Sequence, residues 1–248
     1  LLGDPRQLDQ PMQGSHPDGV DVSAFEHLLA GRSTIGAEQG LFLAETWRLH
    51  PDICAFTSEM FYDGRLKSKD GLQRQSIHSA GKLRGSGLVY VPVAHEGNQN
   101  ASAEEAEMIR DLIEELLSSK PTWIDREGHE RDLSMDDILV IAPYNAQVLE
   151  LQARLPRVRI GTVDKFQGQE APLVFYSMTS SSKEDSPRGM EFLYSANRLN
   201  VATSRAKALC VLVGTPAIFE AECRTPTQMA LANAFCRYLE ICNSSSSD

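Results

Sequence analysis

Gly161-Thr162-Val163-Asp164-Lys165-Phe166-Gln167-Gly168-Gln169-Glu170 is the stretch that decides how this 248-residue chain folds. Val158, Ile160 and Val163 lead into it as a strand, and Leu173 to Met178 follows as a second apolar run. Between the two stand Thr162, Asp164, Lys165, Gln167, Gly168, Gln169 and Glu170. Polar side chains squeezed between two buried strands are expected at the C-terminal rim of a parallel sheet, where open α/β proteins gather ligands.

Working outward, Ile138 to Ala142 and Leu209 to Val213 are further apolar runs without polar alternation, and Leu88 to Val93 is another strand candidate. Helical spacing separates them: Ile53, Phe56, Met60 and Phe61 after Pro51; Ile109, Leu112, Ile113, Leu116 and Leu117; Val148, Leu151 and Leu155. Ser102 with Glu105 has the spacing of a capping box. A helix is expected around Ala196 to Ala206, and Pro216 and Pro226 each open one. Strands that are apolar on both faces and alternate with helices predict an α/β fold with a mainly parallel sheet covered on both sides, a three-layer αβα arrangement. Toward the N-terminus, Leu1 to Asp4 reads as the end of a buried strand and Leu41 to Leu43 as a short one. Met12 to Gly19 reads as a turn-rich connection, and Ser23 caps a short helix ending at Leu29. The stretch from Asp63 to Gly87 has little periodicity, and Arg126 to Asp132 reads as a charged loop.

Composition narrows the functional class. Hydrophobic residues at 42% and charged residues at 23% are those of an ordinary globular protein. No apolar run reaches the ~20 residues of a membrane helix, and no signal peptide opens the chain, so a cytoplasmic location without membrane contact is expected. Five scattered cysteines and six scattered histidines match neither a disulfide framework nor a metal-ligand spacing, and no metal site is expected. A net charge of −10 opposes nucleic-acid binding through bulk electrostatics but leaves room for a local basic groove. Arg154, Arg157, Arg159 and Lys165 are candidates for one.

Several segments are expected to release polar groups where a strand ends: Arg6 and Gln7, then Tyr144, Asn145 and Gln147, then Thr162 to Glu170, then Thr179 to Ser182. Arg205 projects from the helix of Asn197 to Lys207. Guanidinium groups are permanently charged and bidentate, which suits a phosphoryl group in transfer. A phosphate-centred site is the first expectation.

Four motifs in order, GDPRQL (Gly3–Leu8), TWRLHP (Thr46–Pro51), GTVDKFQGQE (Gly161–Glu170) and NRLNVATSRAK (Asn197–Lys207), resemble consecutive signatures of superfamily 1 helicases. The similar branch contains the nonsense-mediated-decay RNA helicase and the Okazaki-fragment nuclease-helicase. GTVDKFQGQEAP together with EDSPRGMEFLYSANRLNVA is similar to the helicase half of bacterial proteins that fuse a RecB-like nuclease to such a helicase. The resemblance implies a RecA-like domain of the P-loop NTPase type. It implies that Gln7 senses the γ-phosphate, that Arg48 contacts it, and that Arg205 is the arginine finger, a group typically worth ~10³ or more in rate. Trp47, standing where the family usually has tyrosine, would stack on adenine. Gly168 would let the backbone approach the nucleotide, and Glu170 would bind the ribose or the water around the phosphates. Thr162, Tyr144, Asn145, Gln147 and Thr179 resemble positions along the nucleic-acid track.

The chain holds no G-x-x-x-x-G-K-[ST] loop and no Asp-Glu pair after a strand. In the family both lie upstream of GDPRQL, on the first RecA-like domain, which also holds the magnesium that accompanies ATP. Residues 1–40 are accordingly expected to be a remnant of that first domain and a connector, 41–242 the second RecA-like domain, and 243–248 a disordered tail. The partners implied are single-stranded DNA or RNA and the missing first domain, in one polypeptide with a RecB-like nuclease. The chain alone would not hydrolyse ATP. The alternative is a non-enzymatic nucleic-acid-binding or regulatory module attached to a nuclease.

Overall fold

The continuous apolar runs become the middle of a parallel sheet. The structure, a computed structural model, describes residues 1–8 and 23–245; Met12 to Gly19 and the last residues of the tail lie outside that range. The first half runs through α1 (Ala24–Leu29), β1 (Glu45–Thr46), α2 (Pro51–Phe61), β2 (Lys67–Ser68), β3 (Ser76–His78), β4 (Gly87–Pro92), α3 (Ala103–Ser118), β5 (Thr122–Ile124) and β6 (Glu130–Asp132). The second half contains β7 (Ile138–Ala142), α4 (Asn145–Arg154), β8 (Arg159–Thr162), β9 (Ala171–Ser177), α5 (Gly189–Leu193), α6 (Ala196–Thr203), β10 (Ala206–Gly214) and α7 (Pro226–Ser245).

The main sheet has the order β4-β10-β9-β7-β8 with every pair parallel. Alternation along its strands feeds two cores. Leu139, Ile141, Val174, Tyr176, Cys210 and Leu212 point to one face, against Ile53 and Phe56 of α2, Leu199 of α6 and Phe235 and Tyr238 of α7. Ile138, Val140, Leu173, Phe175, Leu209 and Val211 point to the other, against Ile109 and Ile113 of α3 and Leu151 of α4. A fully buried side chain of this size contributes about 1.5–3 kcal/mol, so the β7-β9-β10 centre is the energetic anchor of the fold. The three-layer αβα arrangement expected of a RecA-like domain is present.

Strand order sets where ligands can gather. From β7 the chain steps outward to β8, then returns across β7 to β9, so the order reverses between β7 and β9. Side chains released at the C-terminal ends of those two strands face a topological switch point. The GTVDKFQGQE stretch does not stay at that rim. Thr162 ends β8 there, Val163–Phe166 forms one 3₁₀ turn with Val163 and Phe166 buried, and Glu170 already sits at the N-terminal start of β9. Apolar residues inside the polar turn drag the chain down the sheet edge, so the two ends of the stretch serve opposite rims.

Other expectations are corrected. Leu1 and Leu2 are exposed and form no strand, and Leu41 and Leu43 are 85% and 76% exposed, the strand lying instead at β1. Ser102 accepts from the Glu105 amide, but the Glu105 side chain turns into the protein rather than back to Ser102, so the capping box is only half formed. α7 carries Asn243 and Ser244 as helix where a disordered tail is expected. The aperiodic stretch after Asp63 supplies β2 and β3, and β3 joins β5 and β6 as a small antiparallel sheet. Among the described residues no helix is long and apolar enough to cross a membrane.

Candidate functional site

Parallel register brings the first group of predicted residues together. Ala171 of β9 pairs with Ala206 of β10, and the Ala171 amide donates to the Arg205 carbonyl at 3.0 Å. Glu170 and Arg205, each one residue before its strand, are therefore neighbours at the N-terminal rim. The segment after β1 is tied to the same place, because the His50 amide donates to the Lys207 carbonyl at 3.0 Å. Gln75, buried, reinforces the tie by donating to the carbonyls of Arg48 (2.7 Å) and Lys207 (3.0 Å).

Arg48 donates from Nε to Glu170 Oε2 at 2.5 Å and from Nη1 to the Ser204 carbonyl at 2.9 Å. Lys207 Nζ lies 2.9 Å from the other Glu170 oxygen. Burial works to raise the Glu170 pKa, but hydrogen bonds and charge from Lys207 and Arg48 outweigh it and hold the carboxyl below its usual range. Arg205, 2% exposed, donates from Nη2 to Gln7 Oε1 at 3.1 Å and from Nη1 to the Gln169 carbonyl at 3.4 Å. Its Nε is buried without a partner. Burial, then the like charge of Arg48, pushes the Arg205 pKa down. Two guanidiniums and an ammonium thus gather near Glu170, with Asp4 acting on Arg205 as the second carboxylate. Three cations against two carboxylates leave a positive charge that an anion would relieve.

Gln7 is held in turn. Its Nε2 donates to Asp4 Oδ2 at 3.1 Å, Tyr62 donates its hydroxyl to the same oxygen, and Asn200 donates to both the Tyr62 hydroxyl (2.9 Å) and the Arg6 carbonyl (2.6 Å). The GDPRQL segment is in this way docked on α2 and α6. Asp4, Tyr62, Asn200, Gln75 and Lys207 escaped sequence reasoning as site residues. Asp4, Asn200 and Lys207 stand inside quoted motifs and could have been found there; Gln75 and Tyr62 carry no local signal.

Trp47 is 58% exposed, with Lys69 Nζ 3.3 Å from the centre of its ring. It borders a cavity of about 230 Å³ with Lys69, Asp70, Leu72, Arg126 and Glu127. An indole this open contributes little to the core and is available for stacking. Gly168 has φ +80° with open space around it, so its backbone conformation, not crowding, is what favours glycine there.

The remaining predicted residues gather at the opposite, C-terminal rim. Thr162 is half-buried and Asn145, the first residue of α4, is exposed. Tyr144 is buried, its hydroxyl bonded to Ser186 Oγ at 2.9 Å. Gln147 and Thr179 are fully enclosed, so their side chains are not exposed at this rim as residues lining a track would be. Gln147 exchanges hydrogen bonds with the Ser102 backbone and donates to Ser177 Oγ. Thr179 sits at φ +71°, and its amide donates to both oxygens of buried Glu105 at 2.9 and 3.0 Å. Glu105 also accepts from Ser177 Oγ at 2.5 Å and contacts His95 Nε2 at 2.9 Å. Among the described residues no group of three His, Cys, Asp or Glu side chains is placed to hold a metal ion.

With this geometry in place, comparison with known proteins identifies the family. A family model described as AAA domain matches residues 20–217. The chain belongs to this AAA-domain family. The AAA domain is similar to helicase sen1 of Schizosaccharomyces pombe, 30% identical over 229 residues that cover 86% of this chain and 13% of the relative. It is similar as well to the DNA polymerase alpha-associated DNA helicase A of the same organism, at 28% identity over 86% of this chain and 33% of the relative. A third similar protein is the 3'-5' exoribonuclease HELZ2 of Homo sapiens, at 29% identity over 86% of this chain and 8% of the relative. The chain spans a third or less of the length of these relatives.

Proposed function

We propose that this AAA domain is the C-terminal motor domain of an ATP-dependent helicase, contributing one wall of a composite ATP site and part of a single-strand track. The observation that carries the reading is the cluster of Arg48, Arg205, Gln7 and Glu170 at one rim, where four separate motifs meet with excess positive charge. A triphosphate fits it: the orphaned Arg205 Nε and the guanidinium forks offer donors to phosphate oxygens, and the open ring of Trp47 offers a stacking surface for a base. ATP, with magnesium held by the first motor domain, would supply the phosphoryl group and the driving energy.

In this reading Arg205 neutralises charge that develops on the phosphoryl group in transfer, an electrostatic task that needs a permanently charged donor in a water-poor setting. Arg48, fixed between Glu170 and the Ser204 carbonyl, presents its remaining donors to the same phosphate. Gln7 reports the state of the site, because its amide bridges Arg205 and Asp4 and so links the opening segment to α2 and α6. Loss of the anion frees Arg205 and lets the two motor domains part, moving a strand held at the opposite rim. The similarity to helicases by name supports the motor.

The test is Arg205→Ala in the intact helicase. Nucleic-acid-stimulated ATP turnover should fall at least tenfold and strand displacement with it, with ATP affinity kept. Wild-type turnover in that variant would defeat the proposal.

A further inference from the structure

Phe192 carries two guanidiniums on one ring. The guanidinium carbon of Arg188 lies 3.8 Å from the ring centre and that of Arg198 lies 4.2 Å from it. Phe192 is itself buried and packs against Tyr144, ring centres 5.2 Å apart. Tyr144 follows β7, so the assembly stands at the C-terminal rim beside the switch point. The loop bearing Arg188 is pinned there: Tyr144 and Ser186 share a hydrogen bond, Ser186 donates to the Gly189 carbonyl at 3.0 Å, and Ser182 and Asp185 bond each other.

Charge around the ring is not balanced. Arg188 is exposed and has no carboxylate within ion-pair distance among the described residues. Among the described residues, Arg198 has Asp164 as its one ion-pair partner, at 3.9 Å. Placing two like charges on one aromatic is unfavourable unless the ring's quadrupole and an anion offset their repulsion, and Phe192 supplies only the first. An aromatic ring takes the face of a guanidinium and leaves the N–H donors at its edge free, which is the geometry a phosphate oxygen pair accepts. In a chain of net charge −10 such a local surplus cannot come from general basicity.

We propose that Arg188 and Arg198, held on Phe192, form a clamp for the phosphates of a single strand. The inference rests on the helicase reading and deepens it. It makes Tyr144 a support that fixes the clamp, and it places the strand contact on two arginines outside the residues first expected to line the track. Phosphate contacts read no sequence, so the clamp accepts DNA and RNA alike.

The experiment is fluorescence anisotropy of labelled oligo-deoxythymidylate and oligo-uridylate with the 248-residue chain across a salt series. Arg188→Ala should weaken both oligonucleotides several-fold, and R188A/R198A about tenfold or more. The slope of log affinity against log salt should fall by about one per arginine removed. Arg188→Lys should restore part of the affinity, as a point charge lacks the planar fork. Arg188 lies on an exposed loop, so its single variant keeps the fold, which circular dichroism checks. Undiminished binding and slope in both alanine variants would overturn the clamp and leave the helicase reading standing. No binding of either strand by the wild-type chain at low salt would overturn the clamp alone, because the helicase reading is tested separately by turnover of Arg205→Ala in the intact protein.

Discussion

Arg205 and Gln7, 198 positions apart in sequence, meet through an Nη2–Oε1 hydrogen bond of 3.1 Å at the N-terminal rim of the sheet. The amide oxygen partly satisfies a buried guanidinium whose Nε has no partner. The two should therefore act as one unit rather than as two contributors. In the full-length protein, the proposed helicase function has Gln7→Ala and Arg205→Lys each lowering stimulated ATP turnover by roughly tenfold or more, and the double variant by much less than the product. Strictly multiplicative losses in turnover assays would show that Gln7 works independently of Arg205.

Glu170 predicts a pH dependence. Its folded pKa is depressed by Lys207 and Arg48 against the opposing effect of burial. A carboxyl of this kind stabilises the fold above its unfolded pKa of about 4.3, and the contribution is lost as pH falls through the lower folded value. Thermal melts of wild type and Glu170→Gln should differ by a constant amount above about pH 5 and converge on further acidification. A difference that grows toward low pH would mean that the carboxylate is not held by the two cations.

Much of this was legible in sequence for a physical reason. Ile138 to Ala142, Leu173 to Met178 and Leu209 to Val213 are buried on both faces, so their pattern announces a covered parallel sheet before any contact is known. The polar groups of Glu170 and Arg205 lie next to ends of such strands and could be picked out with them, whereas Arg48, which follows the two-residue β1, is legible only through the family resemblance. The rim each would serve could not be picked out. That depended on Val163 and Phe166 burying themselves inside a stretch that otherwise reads as polar turn. β1, β2 and β6 were missed because two or three residues carry no period, and all of β6 is exposed. Glu105 reads as a capping residue by spacing, yet buried His95, Ser177 and the Thr179 amide offer its carboxylate more than the Ser102 amide does.

Trp47 offers a test separable from chemistry. Its exposed ring borders the cavity with Asp70, Arg126 and Glu127, and Lys69 lies against it. Aromatic stacking is worth about 0.5–1.5 kcal/mol, so Trp47→Ala should raise the KM for ATP by about two- to twelvefold with kcat nearly kept. Trp47→Phe should fall between. A loss confined to kcat in steady-state assays would assign Trp47 another task.

Gly168 separates conformation from space. Its φ is +80° and nothing lies within 4 Å of an added Cβ, so a side chain meets backbone strain and no clash. Gly168→Ala should destabilise the chain by about 1 kcal/mol in urea titrations, and Gly168→Asn by less, because asparagine tolerates the left-handed region. Equal costs for the two would indicate that something other than φ selects glycine.

The buried Glu105 carboxylate is expected to hold Thr179 in a conformation that a β-branched residue resists. Thr179 has φ +71°, its amide is accepted by both carboxylate oxygens, and the loop it opens runs on to the arginine-bearing segment. Glu105→Ala leaves the His95 ring, the Ser177 hydroxyl and the Thr179 amide without their acceptor and should cost about 3 kcal/mol or more. Release of the strain stored at Thr179, of order 1–3 kcal/mol for such a residue, offsets part of that cost in wild type. Thr179→Gly removes the strain in advance and with it the offset, so Glu105→Ala should cost about 1 kcal/mol more in the Thr179→Gly background than in wild type. Denaturant titrations of the four proteins measure this coupling directly. Additive costs would mean that Glu105 anchors α3 to β9 without constraining the left-handed turn, and the strain would then need another source.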